Sequence, residues 1–180
     1  QPHMLGIRLV FNSGRSKEWL VDGTADWFWA VAERYDVPVM AFAPHAVAKL
    51  GAIAERHPGL RLIIDHLGLS SALRGKTLEP GVDEVIKLAR LPNVAVKVSA
   101  LPCYVEEPYP FPTLHPIVRR VVDAFGPRRC FWGTDLSHLT CPYKQCVTLF
   151  TEEMKSLSST ELEWIMGRGI AEWLNWPLPK

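Results

Sequence analysis

Short apolar runs alternate along this chain with longer stretches in which apolar residues recur every three or four positions. The short runs are rich in Val, Ile and Leu, which is typical of strands buried on both faces of a parallel sheet. The longer stretches have the spacing of helices with one buried face. The pattern therefore predicts an α/β protein of five βα units, with strands at residues 6–11, 37–43, 60–65, 94–99 and 130–134.

Helix boundaries carry their own signals. Thr24 is a candidate N-cap for the first helix, and Ser158 with Glu161 three residues later matches a capping box near the end of the chain. Every predicted strand is followed by a helical segment, as the connection between parallel strands requires. The apolar face predicted for the first helix consists of Trp27, Phe28, Val31 and Ala32.

The length of the chain bears on how these units close. Its 180 residues give about 36 residues per unit, so eight units need about 290 residues, comparable to the roughly 250 or more of a complete (β/α)8 barrel. Two arrangements are open: part of a barrel about three units short, or a five-stranded sheet with a doubly wound order. In both, residues 1–180 form a single domain without a linker.

Composition restricts the classes of partner. The 20 basic and 19 acidic residues give a formal net charge of +1 without any basic run, which disfavours binding to nucleic acid or to a membrane surface. No apolar stretch approaches the roughly 20 residues that span a bilayer. The four cysteines lack Cys-x-x-Cys spacing, which indicates reduced thiols. We therefore expect a cytoplasmic protein that acts on a small molecule.

Titratable residues follow two of the predicted strands. His66 follows the third strand within the sequence Asp-His-Leu-Gly, and Asp135 follows the fifth strand after Gly-Thr. Because parallel α/β sheets bind ligands at the carboxyl ends of their strands, both are candidate site residues. Each alone has a structural explanation, a loop contact for His66 and a helix N-cap for Asp135. Their occurrence together in one regular series of strands favours a functional site.

Four motifs occur in a fixed order along the predicted strands: Gly-Ile-Arg-Leu at 6–9, Ile-Ile-Asp-His-Leu-Gly at 63–68, Asn-Val-Ala-Val-Lys-Val-Ser at 93–99 and Trp-Gly-Thr-Asp at 132–135. Together they resemble the amidohydrolase-related family, often labelled amidohydrolase 2, over nearly the whole chain. The resemblance implies a (β/α)8 TIM barrel in which the five strands are the fourth to the eighth and the N-terminal units are missing.

The resemblance also implies roles for the two strand-end residues. Asp135 matches the aspartate that deprotonates or orients an attacking water, and His66 matches the histidine that polarises the substrate carbonyl or donates to the developing oxyanion. The leading prediction is therefore a hydrolase, lactonase-like in chemistry, that acts on a small carboxylated or lactone-like substrate.

Four further residues are candidates for substrate binding. Arg8 on the first strand is a possible partner for a substrate carboxylate, and His138 lies near the rim of the site. Lys97 and Ser99 share one face of the fourth strand, so both point either into the barrel or away from it. A structural ion pair or hydrogen bond is the alternative for Arg8, Lys97 and Ser99, and a loop position is the alternative for His138.

A metal-dependent decarboxylase is the second enzymatic hypothesis, since the family contains such enzymes as well as lactonases that need no metal. His66 and Asp135 would then bind a divalent metal such as zinc. His45, near the end of the second predicted strand, is a third candidate ligand. Pro44 precedes it, however, and His45 fits the first turn of the following helix equally well.

One motif of the family is absent. Its first strand carries a His-x-His pair, and no two histidines of this chain have that spacing. The chain is then a piece of a longer polypeptide, is completed by another chain, or is a catalytically incomplete barrel with a structural role. Because five strands leave two open sheet edges, we expect a homo-oligomer or pairing with another chain that covers them.

Overall fold

A computed structural model describes residues 4–177, so the first three and last three residues of the predicted domain lie outside the described range. The fold is built on one sheet in which every pairing is parallel. Each strand lies within a run that the sequence predicted, so the five strand predictions are confirmed. The strands are β1 (Ile7–Val10), β2 (Val39–Phe42), β3 (Leu62–Ile64), β4 (Val94–Ser99) and β5 (Cys130–Gly133).

The order of the strands decides between the two arrangements left open by the sequence. A doubly wound sheet reverses its order at a switch point, whereas consecutive strands of a barrel are neighbours. Here each strand pairs with the next one along the chain, from β1 to β5. The doubly wound alternative is therefore wrong. Within residues 4–177, β1 and β5 are each paired on one side only, which leaves both sheet edges open.

Helical segments follow each of the five strands. Two short π-helical segments, Leu149–Glu153 and Trp164–Arg168, continue α5 and join α6 to α7. No helix of the described part of the chain is long and apolar enough to cross a membrane. The α-helices are α1 (Asp26–Arg34), α2 (Val47–Arg56), α3 (Glu79–Ile86), α4 (Leu114–Phe125), α5 (Tyr143–Thr148), α6 (Ser159–Glu163) and α7 (Gly169–Trp173).

The two faces of the sheet differ because successive side chains of a strand point to opposite sides. In β4, Val94, Val96 and Val98 belong to the large apolar cluster that the sheet shares with the helices. Ala95 lies on the other, inner face. A smaller cluster there contains Ile63, Ala95 and Phe131 and is covered by Met40, Ile170, Trp173 and Leu174. Nearer the carboxyl ends of the strands, the inner face becomes polar.

Helix α1 differs from its predicted arrangement. Thr24 is not its N-cap, because the helix begins at Asp26. Trp29 is its fully buried aromatic residue, whereas Trp27 is 68% exposed and Val31 is 43% exposed. Part of the apolar face that the spacing assigned to the core therefore lies on the surface.

Exposed apolar side chains are concentrated near the edge formed by β1. Within the described residues, eight of the eleven exposed large hydrophobic side chains belong to residues 4–35. An apolar cavity of about 250 Å³ lies among Leu9, Phe11, Trp19 and Phe28 at the same edge. Apolar patches of this kind mark surfaces that pack against another element or chain.

The predicted capping box at Ser158 is present at the start of α6. The Ser158 N–H donates to the Glu161 carboxylate at 2.8 Å, and the Glu161 N–H donates to the Ser158 hydroxyl at 3.3 Å. The same carboxylate accepts a hydrogen bond from Arg119 of α4 at 2.9 Å. The hydrogen bonds from Arg119 and Ser158 lower the pKa of Glu161 to about 2. One carboxylate thus both caps α6 and ties it to α4.

Replacement of this carboxylate is expected to weaken the fold. Glu161→Gln should lower the free energy of unfolding at pH 7 by about 1 kcal/mol, because it removes an ion pair and weakens a cap. Since folding lowers the pKa of Glu161, its contribution is present above the unfolded value of 4.5 and is lost as the pH falls towards about 2. Urea denaturation at several pH values measures the difference.

Glu152→Gln is the control for this prediction, because Glu152 is exposed and forms no ion pair within residues 4–177. A difference between wild type and Glu161→Gln that failed to shrink as the pH was lowered below the unfolded value would contradict the assignment.

Candidate active site

The carboxyl ends of β3 and β5 position the two predicted catalytic residues. After β3 the chain enters the turn Asp65–Gly68, in which His66 and Leu67 have positive φ angles of 49° and 55°. Asp135, which follows β5, has a φ of 55°. Left-handed backbone at residues other than glycine is uncommon and is concentrated at functional sites. Both strand ends thus direct a titratable side chain towards the same edge of the sheet.

Two contacts hold the turn after β3 in place. Gly68 ends the turn with a φ of 63°, and a Cβ atom there would lie 2.5 Å from Cγ2 of Val47, so glycine is required. The buried Tyr104 hydroxyl donates to the Leu69 carbonyl at 3.2 Å. The Asp-His-Leu-Gly turn therefore holds His66 in a fixed position at the end of β3.

Asp65 is the charged centre of the site and is completely buried. Its Oδ2 accepts hydrogen bonds from Arg8, with Nε at 2.7 Å and Nη2 at 2.6 Å. Nζ of Lys97 lies 3.0 Å from the other carboxylate oxygen, Oδ1. Burial alone would raise the pKa of Asp65, but the charge of His66 when it is protonated, the charge of Lys97 and the hydrogen bonds from Arg8 and Lys97 outweigh it and leave this pKa below its ordinary value. One carboxylate therefore joins β1, β3 and β4.

His66 is held between a hydroxyl and two carboxylates. Its Nδ1 lies 2.8 Å from Oγ of Ser99, and its Nε2 lies 3.3 Å from Asp65 Oδ2 and 3.5 Å from Asp135 Oδ2. The Phe42 ring packs against the imidazole edge to face, with the ring centres 5.5 Å apart. Because the carboxylates can only accept, the proton of a neutral imidazole belongs on Nε2, and the Ser99 hydroxyl then donates to Nδ1.

The electrostatic surroundings favour that neutral form. Burial lowers the pKa of His66, and the Lys97 and Arg8 charges lower it further, whereas Asp65 and Asp135 act in the opposite direction. The net shift is downward. At neutral pH the imidazole can therefore donate a hydrogen bond through Nε2 without carrying a charge.

A polar cavity of about 270 Å³ lies above these groups. Arg8 and Val10 line it from β1, His66 and Tyr104 lie in its wall, and Asp135 closes the side formed by β5. The Asp135 side chain is 27% exposed, so water or a small ligand reaches its carboxylate. The cavity thus combines an accessible acceptor with a buried neutral donor.

Comparison with known proteins agrees with this arrangement. The family model described as amidohydrolase matches residues 1–176. The chain belongs to the amidohydrolase family.

Two curated amidohydrolase relatives act on lactones according to their names. An L-fucono-1,5-lactonase of Burkholderia ambifaria is 32% identical over 138 residues, which cover 74% of this chain and 46% of that protein. A 4-sulfomuconolactone hydrolase of Hydrogenophaga intermedia is 29% identical over 143 residues, which cover 74% of this chain and 43% of that protein. The chain spans about half the length of these curated relatives.

A solved amidohydrolase structure supports the barrel-type fold. The amidohydrolase of Burkholderia multivorans, solved with bound zinc, superposes with a TM-score of 0.82 at 21% identity. The superposition covers 96% of this chain and 64% of that one. At this identity the likeness concerns the fold, which is of the α/β TIM-barrel type.

The four candidate substrate-binding residues of this amidohydrolase chain separate into two pairs. Arg8 and His138 line the cavity. Lys97 and Ser99 both lie on the inner face of β4, yet Lys97 pairs with Asp65 and the buried Ser99 is hydrogen-bonded to His66. The structural contacts considered as alternatives from the sequence are thus present for Lys97 and Ser99, and also for Arg8, which pairs with Asp65. Substrate binding by all four residues stays a prediction.

A glycine makes room for Lys97. Gly133 of β5 pairs with Ser99 in the sheet, and a Cβ atom at Gly133 would lie 3.0 Å from Cε of Lys97 and 3.3 Å from Cβ of Ser99. The Trp-Gly-Thr-Asp motif therefore has two roles. Its glycine leaves space for Lys97 of β4, and its aspartate, Asp135, enters the site.

The structure does not bring His45 to the other candidate metal ligands. His45 is exposed, lies just before α2 and is not part of the cavity wall. Among residues 4–177, no group of three or more His, Cys, Asp or Glu side chains is placed to hold a metal ion. His66 and Asp135 together offer two ligands, whereas catalytic zinc sites in proteins use three. Metal binding by these residues stays a prediction.

Sequence reasoning missed two residues of the site. Asp65 was noted only as the neighbour of His66, although a carboxylate at the end of an apolar strand needs cationic partners once it is buried. Arg8 and Lys97, both in the quoted motifs, were the available signal. Tyr104 gave no signal, because its contact with the turn after β3 spans 35 residues of sequence.

Removal of the central charge should destabilise the protein. Asp65→Asn is expected to lower the free energy of unfolding by about 2 to 4 kcal/mol, because Arg8 and Lys97 would lose their common partner. Urea denaturation at pH 7 measures the change. Glu55→Gln, which breaks an exposed ion pair with Arg90, should cost about 0.5 kcal/mol or less. Equal losses in the two variants would contradict the central role of Asp65.

Proposed function

We propose that this chain carries the base and the electrophile of a hydrolase that opens a small lactone by attack of an activated water. The observation that carries the proposal is the pair of Asp135 Oδ2 and His66 Nε2, which lie 3.5 Å apart at the wall of a polar cavity. The names of both curated relatives describe lactone hydrolysis, which supports this substrate class. One name describes a sugar lactone and the other a lactone with a sulfo group.

The proposed chemistry divides between the two residues. The Asp135 carboxylate accepts a proton from water, whose oxygen forms a bond to the lactone carbonyl carbon. His66 donates its Nε2 hydrogen bond to the oxyanion that develops on the carbonyl oxygen. When the ring C–O bond breaks, the protonated Asp135 returns its proton to the leaving alkoxide. The product is a hydroxy acid, and both side chains regain their starting states.

Three neighbours prepare His66 for this role. The Ser99 hydroxyl fixes the tautomer that carries its proton on Nε2, and the Phe42 ring packs against the imidazole. Asp65 holds Arg8 and Lys97 in position, and burial together with these two charges outweighs the carboxylates and keeps the pKa of the imidazole low. A donor held in place before the reaction needs no reorganisation when charge develops on the substrate.

Additional βα units are part of the proposal. The open edges of β1 and β5, the apolar surface near β1 and the greater length of the relatives together favour further units that continue the barrel. A second copy of the chain is the alternative cover for these edges. Sedimentation of the purified chain distinguishes the two, since a stable self-associated species would favour a homo-oligomer.

Substitution of the two residues tests the hydrolase. Asp135→Asn is expected to lower kcat for lactone opening by about 10²- to 10⁴-fold, and His66→Gln by about 10²- to 10³-fold, with smaller effects on KM. Proton release from L-fucono-1,5-lactone and 4-sulfomuconolactone measures the rates. His115→Gln is the control, because His115 lies on α4 and its side chain bonds only the Pro110 carbonyl among the described residues.

Two outcomes would contradict the proposal. A folded protein that opens no lactone, alone or completed by further βα units, would favour a structural role for this chain. Stoichiometric bound metal that is lost in Asp135→Ala, measured by elemental analysis, would favour the metal-dependent reading of the same two positions.

A further inference from the structure

A second, larger cavity adjoins the candidate active site. It has a volume of about 780 Å³ and lies between the loops that follow β3, β4 and β5. The buried Cys103 belongs to the walls of both cavities. Ligand pockets usually measure roughly 300 to 1,000 Å³, so the site cavity of about 270 Å³ lies just below this range and the second cavity lies within it. The second cavity is therefore the space next to the site on the side of Cys103.

Arg74 is the cationic residue in the wall of this second cavity. Its Nη1 donates to the Ser71 and Leu73 carbonyls, at 2.5 and 2.7 Å. Ser71 itself lines the site cavity, so these hydrogen bonds hold the guanidinium between the two spaces. Burial raises the pKa of both Cys103 and Tyr104, and the Arg74 charge opposes the rise. The guanidinium is thus within electrostatic reach of the site wall.

Charge pairing distinguishes Arg74 from the other cations of the site. Arg8 and Lys97 are both paired with Asp65, whereas Arg74 forms no ion pair in the part of the chain that the structure describes. Its Nε and Nη2 make no hydrogen bond there either. A guanidinium with free donors on one side suits an oxyanion such as a carboxylate or sulfonate.

Two acidic residues share the cavity with Arg74. The Glu107 carboxylate accepts hydrogen bonds from the backbone N–H and the hydroxyl of Thr113, at 2.7 and 2.9 Å, and so has partners of its own. Glu106 and Arg74 are both exposed to solvent, which screens their charges from each other. The remaining wall is mostly apolar or neutral and includes Tyr109, Phe111 and Gln145.

We propose that this second cavity receives the part of the substrate distal to the reacting carbonyl and that Arg74 binds an anionic substituent there. The inference rests on the proposed lactone hydrolysis and adds a specificity determinant to it: Arg74 selects lactones that carry a carboxylate or sulfonate over neutral ones. Loss of a charge-assisted hydrogen bond of this kind weakens binding about 10- to 100-fold.

A matched pair of probes tests the inference: a butenolide with a carboxymethyl substituent and the primary amide of the same compound. The wild-type protein should open the carboxylate with at least about 10-fold higher kcat/KM than the amide. Arg74→Gln should remove this preference through KM, and Arg74→Lys should restore part of it. Arg74→Gln also removes the Nη1 hydrogen bonds to the Ser71 and Leu73 carbonyls, whereas the Thr77 contacts with the Arg74 backbone remain.

Arg56→Gln is the matched control, since it removes one positive charge from an exposed side chain at the end of α2. It should leave the preference intact. A carboxylate preference that persists in Arg74→Gln, or an equal loss for both probes, overturns the inference while leaving lactone hydrolysis standing.

Direct binding separates this inference from the proposed function. If neither probe is hydrolysed, calorimetry with the carboxylate and the amide still compares their affinities. Tighter binding of the carboxylate by wild type but not by Arg74→Gln supports the anion site even though the reaction has failed. Equal affinities of the two probes for wild type overturn the anion site.

Discussion

A single buried carboxylate organises the functional end of this protein. Asp65 is excluded from water, so it is stable as an anion only because Arg8 and Lys97 supply compensating charge at 2.6 to 3.0 Å. These partners come from the strands on either side of the sheet's centre, β1 and β4. The ion pairs therefore fix how the ends of β1, β3 and β4 lie relative to one another. They also fix the position of the neighbouring His66 side chain.

The backbone of the strand ends is consistent with the same constraint. His66, Ala100 and Asp135 all follow strands and all have left-handed φ angles, between 49° and 59°. Such conformations cost of order 1 to 2 kcal/mol for a residue with a Cβ atom. They persist because the surrounding contacts, above all the Ser99 hydrogen bond and the Tyr104 contact with the turn after β3, hold the strand ends in place.

The helix-covered face of the sheet and the edge formed by β1 differ in how much apolar surface they leave exposed. The face towards the helices is closed by an extensive apolar cluster, whereas the edge formed by β1 carries most of the exposed apolar side chains of the described residues. The apolar spacing of α1 shows the same division: Trp29 packs into the core, while Trp27 lies outside. The apolar spacing of α1 therefore continues beyond the face that the core covers within the described residues.

By itself, the sequence determined the five strands, their parallel character and the placement of His66 and Asp135 at strand ends, because these depend on local periodicity and on short motifs. Only the tertiary structure decided the strand order, the inward face of Lys97 and Ser99, and the burial of Asp65 between two cations. It also separated His45 from the site and brought Arg74 to the wall of a second cavity. Those features depend on contacts between residues far apart along the chain, and local sequence patterns do not specify which distant residues come into contact.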